Sequence, residues 1–130
     1  MSKQNVELVH RVIEAFNRRD VEAAAALVPN ARIVPLRAAL EGVAYTGPNA
    51  FREFWADATD AWSQLSIEVE RVTDLEERVL VIGRLRATAR GSGAGVETPV
   101  GWVVTFHSDS VTEFRTYPSR EAALEAVAEA

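Results

Sequence analysis

Apolar residues in the first half of the chain recur every three or four positions, a spacing that predicts amphipathic helices. We expect helices over residues 3–17 and 21–28. A third helix is predicted to open at Gly47-Pro48, because a proline in the first turn of a helix costs no hydrogen bond. Between the second and third helices, Ile33 and Val34 are predicted to form a short strand.

After Ser63 apolar and polar residues alternate, which predicts strands rather than helices. Four strands are expected, running from about 64 to 73, 78 to 90, 96 to 107 and 111 to 117, and a final helix follows Ser119. This order predicts the α+β class. A curved, cone-shaped antiparallel β-sheet would carry the three N-terminal helices on its concave face, with a short C-terminal helix. All 130 residues are expected to form one domain.

The turns between the strands determine which side chains share a face of the sheet. Turns centred on residues 75–77, 93–94 and 108–110 predict two inward rows of side chains. These rows are Ile67, Leu85, Trp102 and Thr116, and Val69, Gly83, Val104 and Phe114. Because Gly83 has no side chain, we expect it to leave space beside Val104. The opposite face is predicted to carry charged residues of both signs.

A bent sheet with helices on its concave side is expected to enclose an apolar cavity. The residues predicted to line it are Val12, Phe16, Val34, Tyr45, Trp55, Gly83, Leu85, Trp102, Val104, Phe114 and Thr116. An indole beside apolar space favours flat, hydrophobic ligands. The predicted partner is therefore a small hydrophobic or aromatic molecule.

Composition and charge argue against several other functions. The net charge of −5 disfavours nucleic acid, whose phosphates require a basic surface. The chain has no cysteine, which excludes disulfides and zinc–thiolate sites. His10 and His107 are far apart and expected to be exposed, so neither a metal site nor a cofactor is predicted. No apolar run is long enough for a membrane span or a signal peptide, so we expect no membrane partner and a cytoplasmic location.

Three segments resemble SnoaL-like proteins of the nuclear-transport-factor-2-like superfamily. Residues 12–20 (VIEAFNRRD) are similar to the first helix of these proteins, residues 45–55 (YTGPNAFREFW) to the third helix, and residues 114–117 (FRTY) to the end of the last strand. The resemblance implies a cone fold with an internal pocket. It also implies a homodimer, because family members commonly pair through the outer face of the sheet. The apolar residues expected on that face are Ile82, Val103 and Val111.

The superfamily includes ketosteroid isomerases, limonene epoxide hydrolases, scytalone dehydratases and polyketide cyclases, whose carboxylates and tyrosines perform acid–base chemistry inside the cone. The positions that the resemblance assigns to these groups hold Val12, Val34, Trp102 and Thr116 in this chain. We therefore expect neither steroid isomerase nor epoxide hydrolase activity, and no catalytic residue is assigned.

Three functions stay open at this point. The protein could bind a small molecule without transforming it. It could be an isomerase, hydratase or cyclase that uses Tyr45, or Glu41 in the loop over the mouth of the cone. It could also be a structural homodimer whose cone is filled by side chains. The volume of the cavity separates the third function from the other two, and a titrating group inside the cavity would favour the second.

Overall fold

The described part of the chain, residues 2–36 and 42–128 of a computed structural model, forms four helices and one five-stranded sheet. The helices are α1 (Ser2–Asn17), α2 (Val21–Leu27), α3 (Ala50–Ala61) and α4 (Arg120–Ala128), and the strands are β1 (Arg32–Val34), β2 (Trp62–Asp74), β3 (Arg78–Ala89), β4 (Gly95–His107) and β5 (Ser110–Tyr117). The predicted α+β class and order of elements are confirmed. None of these helices combines the length and apolar character needed to cross a bilayer.

The sheet has the strand order β1-β5-β4-β3-β2. All neighbouring strands are antiparallel except β1 and β5, which run parallel, so the sheet is mixed rather than purely antiparallel. The short strand predicted at Ile33 and Val34 therefore extends the meander by one strand at its β5 edge.

Side-chain caps begin two of the helices. The Asp20 carboxylate accepts a hydrogen bond from the backbone N–H of Ala23 at 3.1 Å, which starts α2. The Ser119 hydroxyl accepts one from the N–H of Ala122 at 3.0 Å, which starts α4. The third helix begins at Ala50 rather than at Pro48, so the proline precedes the first turn instead of occupying it.

The register is as predicted in two of the three hairpins. Ile67 faces Leu85 between β2 and β3, and Trp102 faces Thr116 between β4 and β5. The predicted register between β3 and β4 is wrong, because Leu85 faces Thr98, four residues from Trp102. Trp102 lies opposite Val81 instead.

The turn between β3 and β4 explains this shift. It lies midway between Thr88 and Gly95, which pair with each other, and so is centred two residues before Gly93-Ala94. Gly91 and Gly93 adopt φ angles of 94° and 73°, a region that favours glycine. A shift of four residues is even, so it leaves each side chain on its predicted face of the sheet.

Different helices cover the two faces of the sheet. The concave face packs against α1 and α3, and α2 packs against these two helices in the main core, whereas α4 lies on the convex face over Leu80, Ile82 and Val103. Ile82 and Val103 are only 5% and 6% exposed, so the prediction that they form an outer apolar surface is wrong. Val111 belongs to the main core, because a bulge after Thr105 turns it to the concave side.

The helix α4 approaches the sheet closely at Gly101. A Cβ atom at Gly101 would collide with the Cβ of Ala123, which is fully buried. Ala123 therefore makes the contact with the sheet, whereas the neighbouring Leu124 is 44% exposed. Val127 of the same helix packs against the cluster of Leu80, Ile82 and Val103 on the convex face.

The free edge of β2 is partly closed by a side chain of α1. The Asn17 amide donates a hydrogen bond to the carbonyl oxygen of Ile67 at 2.9 Å. Its carbonyl oxygen accepts one from the N–H of Ile67 at 2.8 Å. Asn17 thus takes the place of a neighbouring strand at one residue of an edge that would otherwise present free backbone groups.

Replacing Asn17 with alanine is expected to lower the free energy of unfolding by about 1–3 kcal/mol, because both backbone groups of Ile67 lose their partner in a partly buried position. Glu14→Ala, a change on the exposed face of the same helix, is the matched control. Urea denaturation measures both. A loss for Asn17→Ala no larger than that of the control would show that the contact contributes nothing to stability.

Candidate ligand-binding cavity

A cavity of about 380 Å³ lies between the concave face of the sheet and the helices α1 and α3. Its volume is within the range of small-molecule sites, which begins at about 300 Å³. Helix α1 contributes Val12, Ile13 and Phe16, which helical spacing places on one face. Strands β2 to β5 form the opposite wall. The lining is predominantly apolar, so the cavity favours a ligand with little polar surface.

Aromatic rings line much of the helical wall. The ring of Phe54 packs edge-on against Tyr45 and Phe51, with centroids 6.1 and 5.8 Å apart. Contacts of this kind hold the rings in fixed orientations. The wall therefore presents preformed aromatic surface.

Most of the predicted lining residues do border the cavity: Val12, Phe16, Tyr45, Leu85, Trp102, Phe114 and Thr116. Whether they bind a ligand stays a prediction. The remaining four, Val34, Trp55, Gly83 and Val104, do not line it.

Ordinary packing explains why three of these four residues do not border the cavity. Val34 follows Ile33 in a strand, so it points to the opposite face while Ile33 lines the cavity. Val104 is fully buried in the main core. Trp55 packs behind the cavity wall, edge-on to Phe16 and stacked on Phe51.

Gly83 has a different role from the one predicted. A Cβ atom at this position would collide with the backbone carbonyl oxygen of Glu68. The irregularity between Val69 and Arg71 in β2 lies beside it. Gly83 therefore permits a close approach of two strands at a bulge, and it leaves no space in the cavity.

An aspartate that the sequence reasoning missed borders the cavity. The hydroxyl of Tyr45 donates a hydrogen bond of 2.5 Å to the Asp57 carboxylate, and both residues are part of the lining. Asp57 lies three residues after Phe54 and four before Ala61, so helical spacing alone places it on their face. Glu41, the acid predicted over the mouth, lies outside the described residues.

The sheet contributes further polar groups to the wall of the cavity. Trp102, only 3% exposed, and Thr116 are directly opposite each other on β4 and β5, and both border the cavity. Thr98 lies farther along β4, where it faces Leu85. These side chains offer a ligand a few hydrogen-bonding groups in otherwise apolar surroundings.

The charged residues of the convex face lie on the other side of the sheet. Arg84 contacts Glu70 at 3.0 Å, and Arg86 contacts Glu97 at 2.6 Å and Glu68 at 3.1 Å. Hydrogen bonding to Glu70 raises the pKa of Arg84 above its usual value. These exposed pairs contribute little to stability and none of them borders the cavity.

The remaining titratable candidates lie away from the cavity. His10 and His107 are both exposed. Arg115, opposite the convex-face residue Val103, pairs with Glu113 on its own strand. Across residues 2–36 and 42–128, no three histidine, aspartate or glutamate side chains come close enough together to hold a metal ion.

The fold and the cavity define the class of protein: an α+β cone domain of the nuclear-transport-factor-2-like kind. Residues 9–114 match the model of the SnoaL-like domain. This chain belongs to the SnoaL-like domain family. No curated protein sequence matches it significantly.

Solved structures share the fold at low sequence identity. A nuclear-transport-factor-2-like protein of unknown function from Burkholderia pseudomallei is 21% identical, with a TM-score of 0.78 over 96% of this chain and 95% of its own. TerC, co-crystallised with polyporic acid, is 18% identical, with a TM-score of 0.77 over 98% of this chain and 99% of its own. A candidate SnoaL-like polyketide cyclase from Jannaschia sp. CCS1 is 23% identical, with a TM-score of 0.73 over 98% and 94%.

Proposed function

We propose that the protein binds a small, flat and mainly apolar molecule in the cavity between α1, α3 and the sheet. The observation that carries this proposal is the cavity itself, about 380 Å³ in volume and bordered mostly by aliphatic and aromatic side chains. Burying apolar ligand surface against such a lining is favourable by roughly 25 cal/mol per Å². That TerC was co-crystallised with polyporic acid adds support from a protein of the same fold.

The cavity volume also bears on the structural alternative. A cone that serves only as a scaffold for dimerisation needs no internal space, and a cavity of this size lowers the stability of a domain that has no ligand. We therefore favour ligand binding over a purely structural role.

A second candidate function is enzymatic, and the pair of Tyr45 and Asp57 favours it. A phenol hydrogen-bonded to a carboxylate can hold or pass a proton, which is the chemistry of general acid–base catalysis. The candidate polyketide cyclase among the solved structures of this fold supports a cyclase type of reaction within the proposal. If the protein is an enzyme, Asp57→Asn should abolish turnover of the substrate, whereas the substrate should still bind. Equal turnover by Asp57→Asn and the unaltered protein would remove this candidate.

Filling the cavity is the direct test of the binding proposal. Ala58 on α3 borders the cavity, whereas Ala56 on the same helix is exposed. We expect the neutral dye N-phenyl-1-naphthylamine to bind with enhanced fluorescence. Ala58→Leu should weaken its binding by about tenfold or more, since the added carbons displace ligand contacts worth about 0.8 kcal/mol per methylene.

Ala56→Leu is the matched control, because it makes the same substitution on the exposed face of the helix. It should bind the dye like the unaltered protein. If both variants weaken binding equally, or neither does, the dye binds elsewhere and the cavity is not the site. Circular dichroism checks that both variants keep the fold.

Homodimerisation stays a prediction, although Ile82 and Val103 are covered by α4 and Val111 lies in the main core. The exposed remainder of the convex face carries the charged residues Glu68, Glu70, Arg84, Arg86 and Glu97. Paired copies related by a twofold axis would place this surface against itself. Light scattering that reports a monomer at tens of micromolar would contradict the prediction.

A further inference from the structure

A polar groove lies at the free edge of β2, beside the end of α1. It has a volume of about 420 Å³. The residues that line it are mostly polar: Asn17, Arg19, Ser63, Gln64, Leu65 and Ser66. Of these six, only Leu65 also borders the apolar cavity. The groove is therefore a second concave surface, with chemistry unlike that of the cavity.

The groove exposes backbone groups of β2 that have no partner within the sheet. Leu65 and Ile67 are two residues apart in a regular stretch of antiparallel ladder, so their N–H and C=O groups point to the same side of the strand. At Ile67 both groups point away from β3, because the side-chain amide of Asn17 binds them. The N–H and C=O of Leu65 therefore also point outward, and they make no hydrogen bond within the described part of the chain.

The contact of Asn17 indicates what these groups bind. Its side-chain amide both donates and accepts at Ile67, as a peptide group of a neighbouring strand would. Leu65 offers the same donor and acceptor at the next outward position of the edge. An anion would satisfy the N–H of Leu65 but would be repelled by its carbonyl oxygen, whereas a peptide group satisfies both. The edge is therefore suited to an extended peptide.

A positive charge also borders this groove. The guanidinium of Arg19 lies over the ring of Trp55, 5.7 Å from its centroid. Stacking of this kind uses the face of the guanidinium and leaves its N–H donors available in the plane. In the part of the chain that the structure describes, no carboxylate lies within salt-bridge distance of Arg19. The groove is therefore complementary to a carboxylate of a ligand.

The backbone of Arg19 indicates a role for its side chain as well. Arg19 follows α1 with a φ angle of 63°, in the left-handed region that favours glycine. Its N–H donates to the carbonyl oxygen of Phe16 at 3.0 Å, and the N–H of Asp20 donates to that of Ala15 at 2.9 Å, which fixes this conformation. An arginine here costs stability that a glycine would not, and strain of this kind is concentrated at functional sites.

We propose that the groove binds the C-terminal end of an extended peptide from a partner protein, which pairs with Leu65 as a short additional strand and places its terminal carboxylate on Arg19. This inference goes beyond the proposed function, since it concerns a different site and a different class of ligand. The peptide must end here, because Asn17 occupies the next pairing position at Ile67. A terminal carboxylate, unlike a terminal ammonium, complements the charge of Arg19.

Two peptides that differ only at the C-terminus test the inference. Acetyl-Thr-Val-Thr-Val with a free carboxylate is compared with the same peptide ending in an amide, and each is titrated into isotope-labelled protein and followed by NMR. We expect the acid to bind about fivefold more tightly, the upper value for one exposed ion pair. Its binding should also move the backbone amide proton of Leu65 downfield, as a new hydrogen bond does. Both readouts use the unaltered protein, so they do not depend on the folding of a variant.

Arg19→Gly removes the charge and the backbone strain together. It should fold at least as stably as the unaltered protein and lose the preference for the acid. Arg18→Ala is the matched control, because Arg18 is exposed and does not line the groove. This variant should keep the fivefold preference. Neither variant should change the binding of N-phenyl-1-naphthylamine.

Three results would overturn the inference. The first is that neither peptide binds. The second is that the acid and the amide bind equally, or that the preference for the acid survives in Arg19→Gly. The third is that sodium acetate at the same concentration moves the Leu65 signal as strongly as the peptide, because the groove would then bind an anion without strand pairing. None of these results affects the proposed function, which the dye tests at the cavity.

Discussion

Replacing Gly83 with leucine is expected to destabilise the protein by about 3 kcal/mol or more, because the new side chain would collide with the backbone of β2 at Glu68. The carbonyl oxygen of Glu68 cannot move aside as a flexible side chain can, so the two strands must separate. Since β2 and β3 pair along almost their whole length, that separation disturbs the whole domain. Urea denaturation followed by circular dichroism measures the loss.

Gly95 offers a matched control for this substitution. It is an exposed glycine at the start of β4, and a Cβ atom there would meet no other atom within 4 Å. Gly95→Leu should change the free energy of unfolding by no more than about 0.5 kcal/mol. If Gly83→Leu were as stable as this control and only weakened ligand binding, Gly83 would lie in the cavity after all.

Replacing Trp102 with alanine is expected to lower the free energy of unfolding by about 3–5 kcal/mol, because the indole is almost completely buried and its removal leaves a larger cavity. Trp62→Ala is the control, since Trp62 also borders the cavity but is only half-buried. Its loss should be clearly smaller. A loss below about 1 kcal/mol for Trp102→Ala would contradict the burial of the indole.

The elements and faces of this fold follow from local sequence signals. The change from helical to alternating spacing near Ser63 locates the boundary between α3 and β2 within two residues. The caps at Asp20 and Ser119 are local hydrogen bonds between residues three apart, so the sequence alone reveals them. The faces of β3 and β4 are correct despite a wrong register, because an even shift preserves the alternation of side chains.

The features that sequence did not reveal depend on backbone irregularities. The bulges beside Val69 and after Thr105 decide that Gly83 packs against β2 and that Val111 turns inward. Gly83 was the available signal for the first bulge, because a glycine inside a strand often marks one. The position of α4 on the convex face likewise depends on the absence of a side chain at Gly101. The sequence does not reveal this requirement, because the contact partner, Ala123, is distant along the chain.

The cavity was predicted in outline and partly misassigned in detail, and the rotation of α3 accounts for the misassigned residue on that helix. Trp55 belongs to the apolar stripe of that helix, yet it packs on Phe16 and Phe51 behind the wall. Asp57 and Ala61 lie on the neighbouring face and border the cavity instead. An acid at helical spacing from the apolar residues Phe54 and Ala61 was the available signal for Asp57.

The location of a bound apolar molecule tests the central claim most directly, because both faces of the sheet carry aliphatic side chains. Isotope-filtered nuclear Overhauser measurements on methyl-labelled protein with bound N-phenyl-1-naphthylamine distinguish the faces. The cavity predicts contacts from the dye to Ile13, Ile67 and Leu85, which border it. Contacts to Leu80, Ile82 and Val103 under α4, or no contacts at all, would contradict the assignment of the cavity as the binding site.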